Sequence, residues 1–257
     1  MDERIRGRRR SVNRQRGRRR AIPILLLVVV IVAVGVFLWL RSSSVFAVRT
    51  ITATATEHVT KEDIAAATSP ALGVSLLKVS TGSIAKALAA FPYVRKATVY
   101  REFPNTLEVR LVEYEPVARL QAGEGNTWLV SEDGRALEKV TPPRGYTLPL
   151  VIPANPVSPK AGGTVPDQIV AALPVVTLLV KGGVAAKLPS VKQVTVSAAG
   201  EVGLSLADGS ELRLGAPTDL ERKLTVAAGI IQQCLRDGKQ VEYIDVSVPD
   251  RAAVKAK

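Results

Sequence analysis

Residues 91–120 read FPYVRKATVYREFPNTLEVRLVEYEPVARL. Two runs of alternating apolar and polar residues flank Phe103-Pro104-Asn105, and the alternation stops at Glu115-Pro116. Period-two alternation on both sides of a short turn predicts a β-hairpin. One face carries Ala97, Val99, Leu107, Val109 and Leu111; the other carries Thr98, Tyr100, Glu108 and Arg110. Arg101 and Glu113 share the apolar parity but stand at the ends of the runs. A hairpin with one apolar face needs a further layer against it.

The preceding residues supply that layer. Residues 48–54 (VRTITAT) are rich in β-branched side chains and read as a strand. Thr60 is placed to cap a helix, with Asp63 three residues on, and that helix stops before Ser69-Pro70. Gly73 opens a loop. Ser80 or Thr81 then caps a second helix to about Ala90, with Ile84, Leu88 and Phe91 at i, i+4 and i+7. The order is strand, helix, helix, strand, strand: two short helices on one face of a three-stranded sheet.

Upstream, charge and hydropathy are sharply segregated. The 257-residue chain has a formal net charge of +12, but ten arginines in residues 1–20, against Asp2 and Glu3, hold +8 of it and leave +4 for everything else. The basic balance therefore belongs to a tail. Aromatic residues make up 4% of the chain, too few to build base-stacking platforms, which argues against a nucleic-acid partner. The tail itself suits anionic lipid. Residues 21–40, AIPILLLVVVIVAVGVFLWL, carry no charge. As a helix they would span roughly 30 Å, the thickness of a bilayer's hydrocarbon core. With the arginines on the N-terminal side and Trp39 at the far end, the positive-inside rule puts the tail in the cytoplasm and the remainder outside. A cleaved signal peptide competes, because Val45-Phe46-Ala47 has the small-x-small form of a cleavage site. Its apolar core would be about 7–15 residues, and this run is longer.

The segments now on the page resemble a known family. Strand-helix-helix-strand-strand directly after an anchor looks like a POTRA domain. Residues 91–99 (FPYVRKATV), 101–107 (REFPNTL) and 112–118 (VEYEPVA), with Gly73 and Leu76-Leu77, resemble the FtsQ/DivIB cell-division proteins. Ala55 departs from the glycine with which that family usually turns after its first strand. The resemblance implies an α+β organisation: tail 1–20, transmembrane helix 21–40, linker 41–46, POTRA domain 47–115, a mostly antiparallel β domain with flanking helices 116–248, and a C-terminal tail 249–257.

Beyond Pro116 the residues themselves read as strands at 116–120, 127–130 and 135–137, with a hairpin turn at Ser131-Glu132-Asp133-Gly134. Residues 148–152 contain Pro149 and stop at Pro153, so they are expected at a sheet edge. Pro166 suits the first position of a helix to about Gly182, with Pro174 kinking or splitting it. Strands follow at 191–197, 202–206 and 211–214. Thr218-Asp219-Leu220-Glu221 has the form of a capping box for a helix to about Arg236, stopped by Gly238. Residues 241–248 form a last strand, ended by Pro249.

Catalytic constellations are sparse. The lone histidine, His58, is expected on a solvated loop, and the lone cysteine, Cys234, as a small buried apolar residue. Two such residues cannot make a four-ligand nitrogen–sulfur zinc site. Glu113 and Glu115 face the same side of a strand, but beside Pro116 they read as solvated charges rather than a glycosidase pair. No cofactor is implied. The alternatives to a division protein are a POTRA-containing envelope or secretion scaffold and a membrane-anchored cell-wall enzyme.

The interaction reading names two surfaces. Arg101, Glu108, Arg110 and Glu113 are the charged POTRA surface. Tyr243, Ile244, Asp245, Val246, Ser247, Val248 and Asp250 mark a docking strand whose edge would offer unpaired backbone groups to a partner strand. The resemblance implies the partners: membrane division proteins of the FtsB/DivIC and FtsL type and, through them, the septal peptidoglycan synthase. It also implies a single-pass location at the division septum. Val248, Asp250 and Ala256 stand where known members carry aromatic or small hydroxyl residues, so the side-chain anchors differ while main-chain pairing does not depend on them.

The hairpin register is testable. Val109→Asp buries an unpaired charge and is expected to cost several kcal/mol, whereas Arg110→Asp, one residue on, costs little. Equal melting temperatures for the two variants would refute the register.

Overall fold

The computed structural model describes residues 23, 25–39, 43–54, 56–123, 125–140, 147–182 and 188–256. Helix α1 covers residues 25–39. At 1.5 Å per residue it spans roughly 22 Å, short of the roughly 30 Å hydrocarbon core. Among the described residues no helix is long and apolar enough to cross a membrane. The ends of the expected 21–40 span, the whole arginine tail and Ala55 lie outside the described residues.

Contacts divide the chain into two compact units: residues 1–55, 61–86 and 98–110, and residues 56–60, 87–97 and 111–257. The expected strand-helix-helix-strand-strand order is present as β1 (Thr50–Ala53), α2 (Lys61–Thr68), α3 (Thr81–Leu88), β2 (Val94–Glu102) and β3 (Thr106–Glu113). The three strands form one sheet in the order β1-β3-β2, with β1 parallel to β3. Strand β3 alternates as its sequence predicts: Leu107, Val109 and Leu111 are buried and Arg110 is exposed. Ala97 and Val99 on β2 are only half-buried, the consequence of lying on an outer strand. Ile64, Ile84 and Leu88 of the helices are buried as well. The Ser80 hydroxyl accepts from the Ser83 N–H at 3.3 Å and so caps α3.

The second sheet has nine strands in the order β12-β11-β10-β9-β8-β7-β4-β5-β6. These are β4 (Pro116–Gln121), β5 (Thr127–Ser131), β6 (Ala136–Val140), β7 (Leu150–Pro153), β8 (Val191–Val196), β9 (Val202–Leu206), β10 (Glu211–Gly215), β11 (Val241–Asp245) and β12 (Ala253–Ala256). Helices α4 (Asp167–Lys181) and α5 (Leu220–Arg236) pack into one core with the inward residues of these strands, including Leu120, Val151, Val194, Leu204, Leu212 and Ile244. On β5 the neighbours Leu129 and Val130 are both buried but join different clusters. Successive strand residues point to opposite faces, so the sheet is covered on both sides there, Leu129 packing with Tyr93, Leu137 and Val140.

Several elements differ from their sequence readings. Strand β7 is interior: it pairs in parallel with β4 and with β8. Its prolines do not interrupt the ladder, because Pro149 precedes the strand and offers only its carbonyl, which accepts from Arg119 N–H at 2.9 Å, while Pro153 is the last residue. Pro166 is the N-cap of α4 rather than its first helical residue, and α4 runs unsplit through Pro174. At α5 the capping box does not form. Asp219 is the N-cap, sits at φ 51° and makes no side-chain cap bond. The other end behaves as read: Gly238, at φ 67°, donates to Leu235 O and Lys239 N–H donates to Cys234 O, the Schellman pattern. Finally, the run 241–248 is not one strand. Strand β11 stops at Asp245, and the expected tail contains a further strand, β12, antiparallel to β11.

Lys223 shows how α5 is fixed to the sheet. Its side chain is buried, and its ammonium donates to the carbonyls of Leu214 and Ala216 at 2.8 and 2.7 Å. A buried charge is tolerated only with such partners. Lys223→Met removes both of these hydrogen bonds, the one to Leu214 O and the one to Ala216 O, which keeps the Thr218 N–H that it also accepts. We expect a loss of about 1–3 kcal/mol in urea unfolding.

Candidate partner-docking edge

A nine-stranded open sheet has two outer strands, β6 and β12. The start of β6 is closed by the chain itself. Ala136 N–H donates to Gly163 O, Gly162 N–H to Ala136 O and Val165 N–H to Gly134 O, each at 2.8 Å. Strand β12 has β11 on one side and, among the described residues, no strand on the other. All four of its residues are exposed.

The residues before β12 position it. Leu212, Ile244 and Val254 occupy one register row across β10, β11 and β12, and Ile244 is buried in the core. Asp245 ends β11: its carboxylate accepts from the Ser247 N–H at 2.9 Å. The Ser247 side chain and N–H hold the Asp245 carboxyl below its ordinary value, outweighing the opposing effect of burial, with Arg213 adding to the depression. Val246 is buried, and its N–H donates to Arg213 O at 2.9 Å. Ser247 and Val248 are exposed. A short 3-10 turn, Pro249–Arg251, then reverses the chain, and Asp250 on it pairs with Arg222 of α5. Across the final pair Lys255 Nζ lies 2.8 Å from Glu242 Oε2, and on the outward face Arg213 stands over the Tyr243 ring at 4.4 Å.

The seven residues read as a docking strand thus serve different tasks. Tyr243, Ile244 and Asp245 lie on an interior strand, Val246 is core, and Ser247, Val248 and Asp250 form the turn that delivers the true edge. Residues 253–256 were missed because AVKA is short and of weak strand character; the only signal was Pro249-Asp250-Arg251 as a reversing turn rather than a terminus.

The other named surface is also unequal. Glu108 and Arg110 form a bidentate pair at 2.6 and 2.9 Å, and Arg110 lies over Tyr100. Arg101 donates to Val79 O at 2.8 Å. Glu113 is not a solvated charge. Its carboxylate, 15% exposed, accepts from the N–H groups of Glu57, His58 and Val59, each at 3.1 Å. His58 is exposed on a loop, as expected, but not isolated: its ring stacks on Tyr93 at 3.8 Å, and its Nδ1 lies 3.3 Å from Glu113. Cys234 is half-buried. Among the described residues no group of three histidine, cysteine or acidic side chains could hold a metal.

This architecture is that of a POTRA unit followed by a helix-backed sheet, and comparison with known proteins agrees. Residues 46–114 match the POTRA domain, FtsQ-type, and residues 118–247 match the cell division protein FtsQ/DivIB, C-terminal domain. The chain belongs to the FtsQ/DivIB family of cell-division proteins. It is 32% identical over 211 residues to the cell division protein FtsQ of Mycobacteroides abscessus, covering 82% of this chain and 62% of that protein. It is 29% identical over 218 residues to FtsQ of Mycobacterium leprae, covering 85% and 58%, and 28% identical over 182 residues to FtsQ of Neisseria gonorrhoeae, covering 70% and 67%. The chain thus spans about three-fifths of the length of the two mycobacterial relatives.

Burial pushes the Glu113 carboxyl up, but the donors from His58 and Glu57 together outweigh it, and its pKa falls below the ordinary 4.5. Folding therefore favours the charged form, and this stabilisation is present above 4.5 and lost as pH falls through the folded-state value. Glu113→Gln is expected to cost about 1–3 kcal/mol at neutral pH. The gap to wild type should close on acidification below the glutamate range, read by denaturant unfolding across pH.

Proposed function

We propose that this chain is a non-enzymatic, single-pass scaffold of the division machinery that receives a strand of an FtsB/DivIC-type membrane protein on the outer side of β12. In this reading residues 1–20 lie in the cytoplasm against anionic lipid, and residues 21–40 cross the membrane. The POTRA domain at 47–115 and the β domain at 116–248 stand outside, at the septum. An FtsL-type membrane protein is a further partner, and through these proteins the chain couples to the septal peptidoglycan synthase.

The observation that carries the reading is the outer edge of β12, beside which no strand lies among the described residues. An exposed edge strand offers alternate N–H and C=O groups to any extended segment, and proteins normally blunt such edges. Four residues and Lys255 blunt this one only partly. Strand addition takes its affinity from main-chain bonds and its selectivity from flanking side chains. Here those are Val254 and Lys255 on the strand and Ser247, Val248 and Asp250 at the turn. Arg101, Glu108 and Arg110 remain available as a second, charged surface, whereas Glu113 is engaged by its own loop.

Proline scanning of the edge tests this. Adjacent residues of β12 point their N–H groups in opposite directions, one toward β11 and one outward. Proline placed singly at Val254 and at Lys255 should give at least one folded protein that no longer co-purifies with the FtsB-type partner from membranes. Normal capture by both folded variants would defeat the docking assignment.

A further inference from the structure

The end of the first unit that follows α1 carries an apolar rim. Three segments are stitched side by side there. Val48 N–H donates to Val74 O at 3.0 Å, Gly73 N–H to Val48 O at 3.0 Å, Leu76 N–H to Phe46 O at 2.7 Å and Arg49 N–H to Asn105 O at 2.9 Å. On this framework Val45, Leu72, Val74 and Phe103 are 57%, 51%, 36% and 58% exposed. The Phe46 and Phe103 rings meet edge to face at 5.8 Å. Single exposed apolar residues are ordinary on a protein surface; a contiguous group marks an interaction.

The same segments carry exposed Arg49, Lys78 and Arg101 against the single acid Glu102. The Arg101 guanidinium donates to the carbonyl of Val79, the residue after Lys78. We propose that this rim rests on the bilayer surface, its apolar side chains at the boundary between headgroups and acyl chains and its cations among anionic headgroups. The proposal rests on the reading of residues 21–40 as a membrane anchor. What selects lipid over a protein occupant is the tether. Only residues 40–42 separate α1 from Ser43. The seven steps from Trp39 to Phe46 reach at most roughly 25 Å even fully extended. The chain itself thus keeps the apolar rim within that reach of the end of α1. Apolar side chains with a basic surround are the composition of an interfacial contact.

Nitroxide accessibility in the full-length protein tests the proposal. Cys234→Ser is the background, reconstituted in phosphatidylcholine vesicles with about a third phosphatidylglycerol to supply the anionic surface. Labels are placed singly at Phe103→Cys and Leu72→Cys on the rim, at Val34→Cys in the apolar run and at Thr225→Cys on α5. Both rim residues are more than half exposed, so neither change opens the core. Relaxation by oxygen, which concentrates in lipid, is compared with relaxation by a water-soluble nickel chelate. We expect both rim labels to resemble Val34, with an oxygen-to-nickel ratio severalfold above that at Thr225. If Val34 lies in lipid while either rim label is as open to nickel as Thr225, the rim proposal fails and the anchor stands. If Val34 itself is open to nickel, the anchor reading fails and takes the rim with it. Rim labels closed to both reagents would mean that protein, such as a second copy, covers the rim, and that too overturns the proposal.

Discussion

A hydrogen-bonded sheet pairs every backbone group except along its outer strands, and this constraint organises the larger unit. Nine strands close each other's ladders, α4 and α5 bury one face, and Tyr93 with its neighbours covers part of the other. Of the two edges, one is closed over its start by residues 162–165 and the other is left to β12. Core packing and the Lys223 bonds hold α5 in place. The α5 helix in turn carries the turn through Arg222 and Asp250, so the stability of the buried face determines the geometry of the open edge.

The smaller sheet solves a different problem with one carboxylate. Glu113 collects three successive backbone N–H groups that no strand or helix serves. His58, stacked on Tyr93, stands beside that arrangement. The Glu113 carboxylate is thus taken up in satisfying backbone donors of its own loop.

Most strands could be read from the sequence because alternation is a local record of burial. Strands β3, β9 and β10 each bury every second residue, as their patterns predict. Where the deciding interaction was distant, the reading failed. Nothing local shows that Pro149 and Pro153 bracket β7 instead of interrupting it, or that Asp219 adopts a left-handed conformation that sets aside a well-formed capping sequence. The candidate site was half visible. Ile244 and Val246 were recognisable as packed and Asp245 as polar, but the break after Asp245 depends on its own bond to Ser247, and the edge lies eight residues further on. Strand β12 is exposed throughout, so burial leaves no periodic imprint on its sequence.

The order of strands in the sheet also has a direction in time. Strand β12 follows every other described strand in the chain, and its neighbour β11 joins β10 only after α5 has crossed over. Of the described strands, a ribosome makes this edge last. A nascent chain halted before residue 253 would expose β11 instead, with a different register and with the buried side of Ile244 less protected. Any segment that pairs with β12 would therefore meet a chain in which every other described strand has already been made.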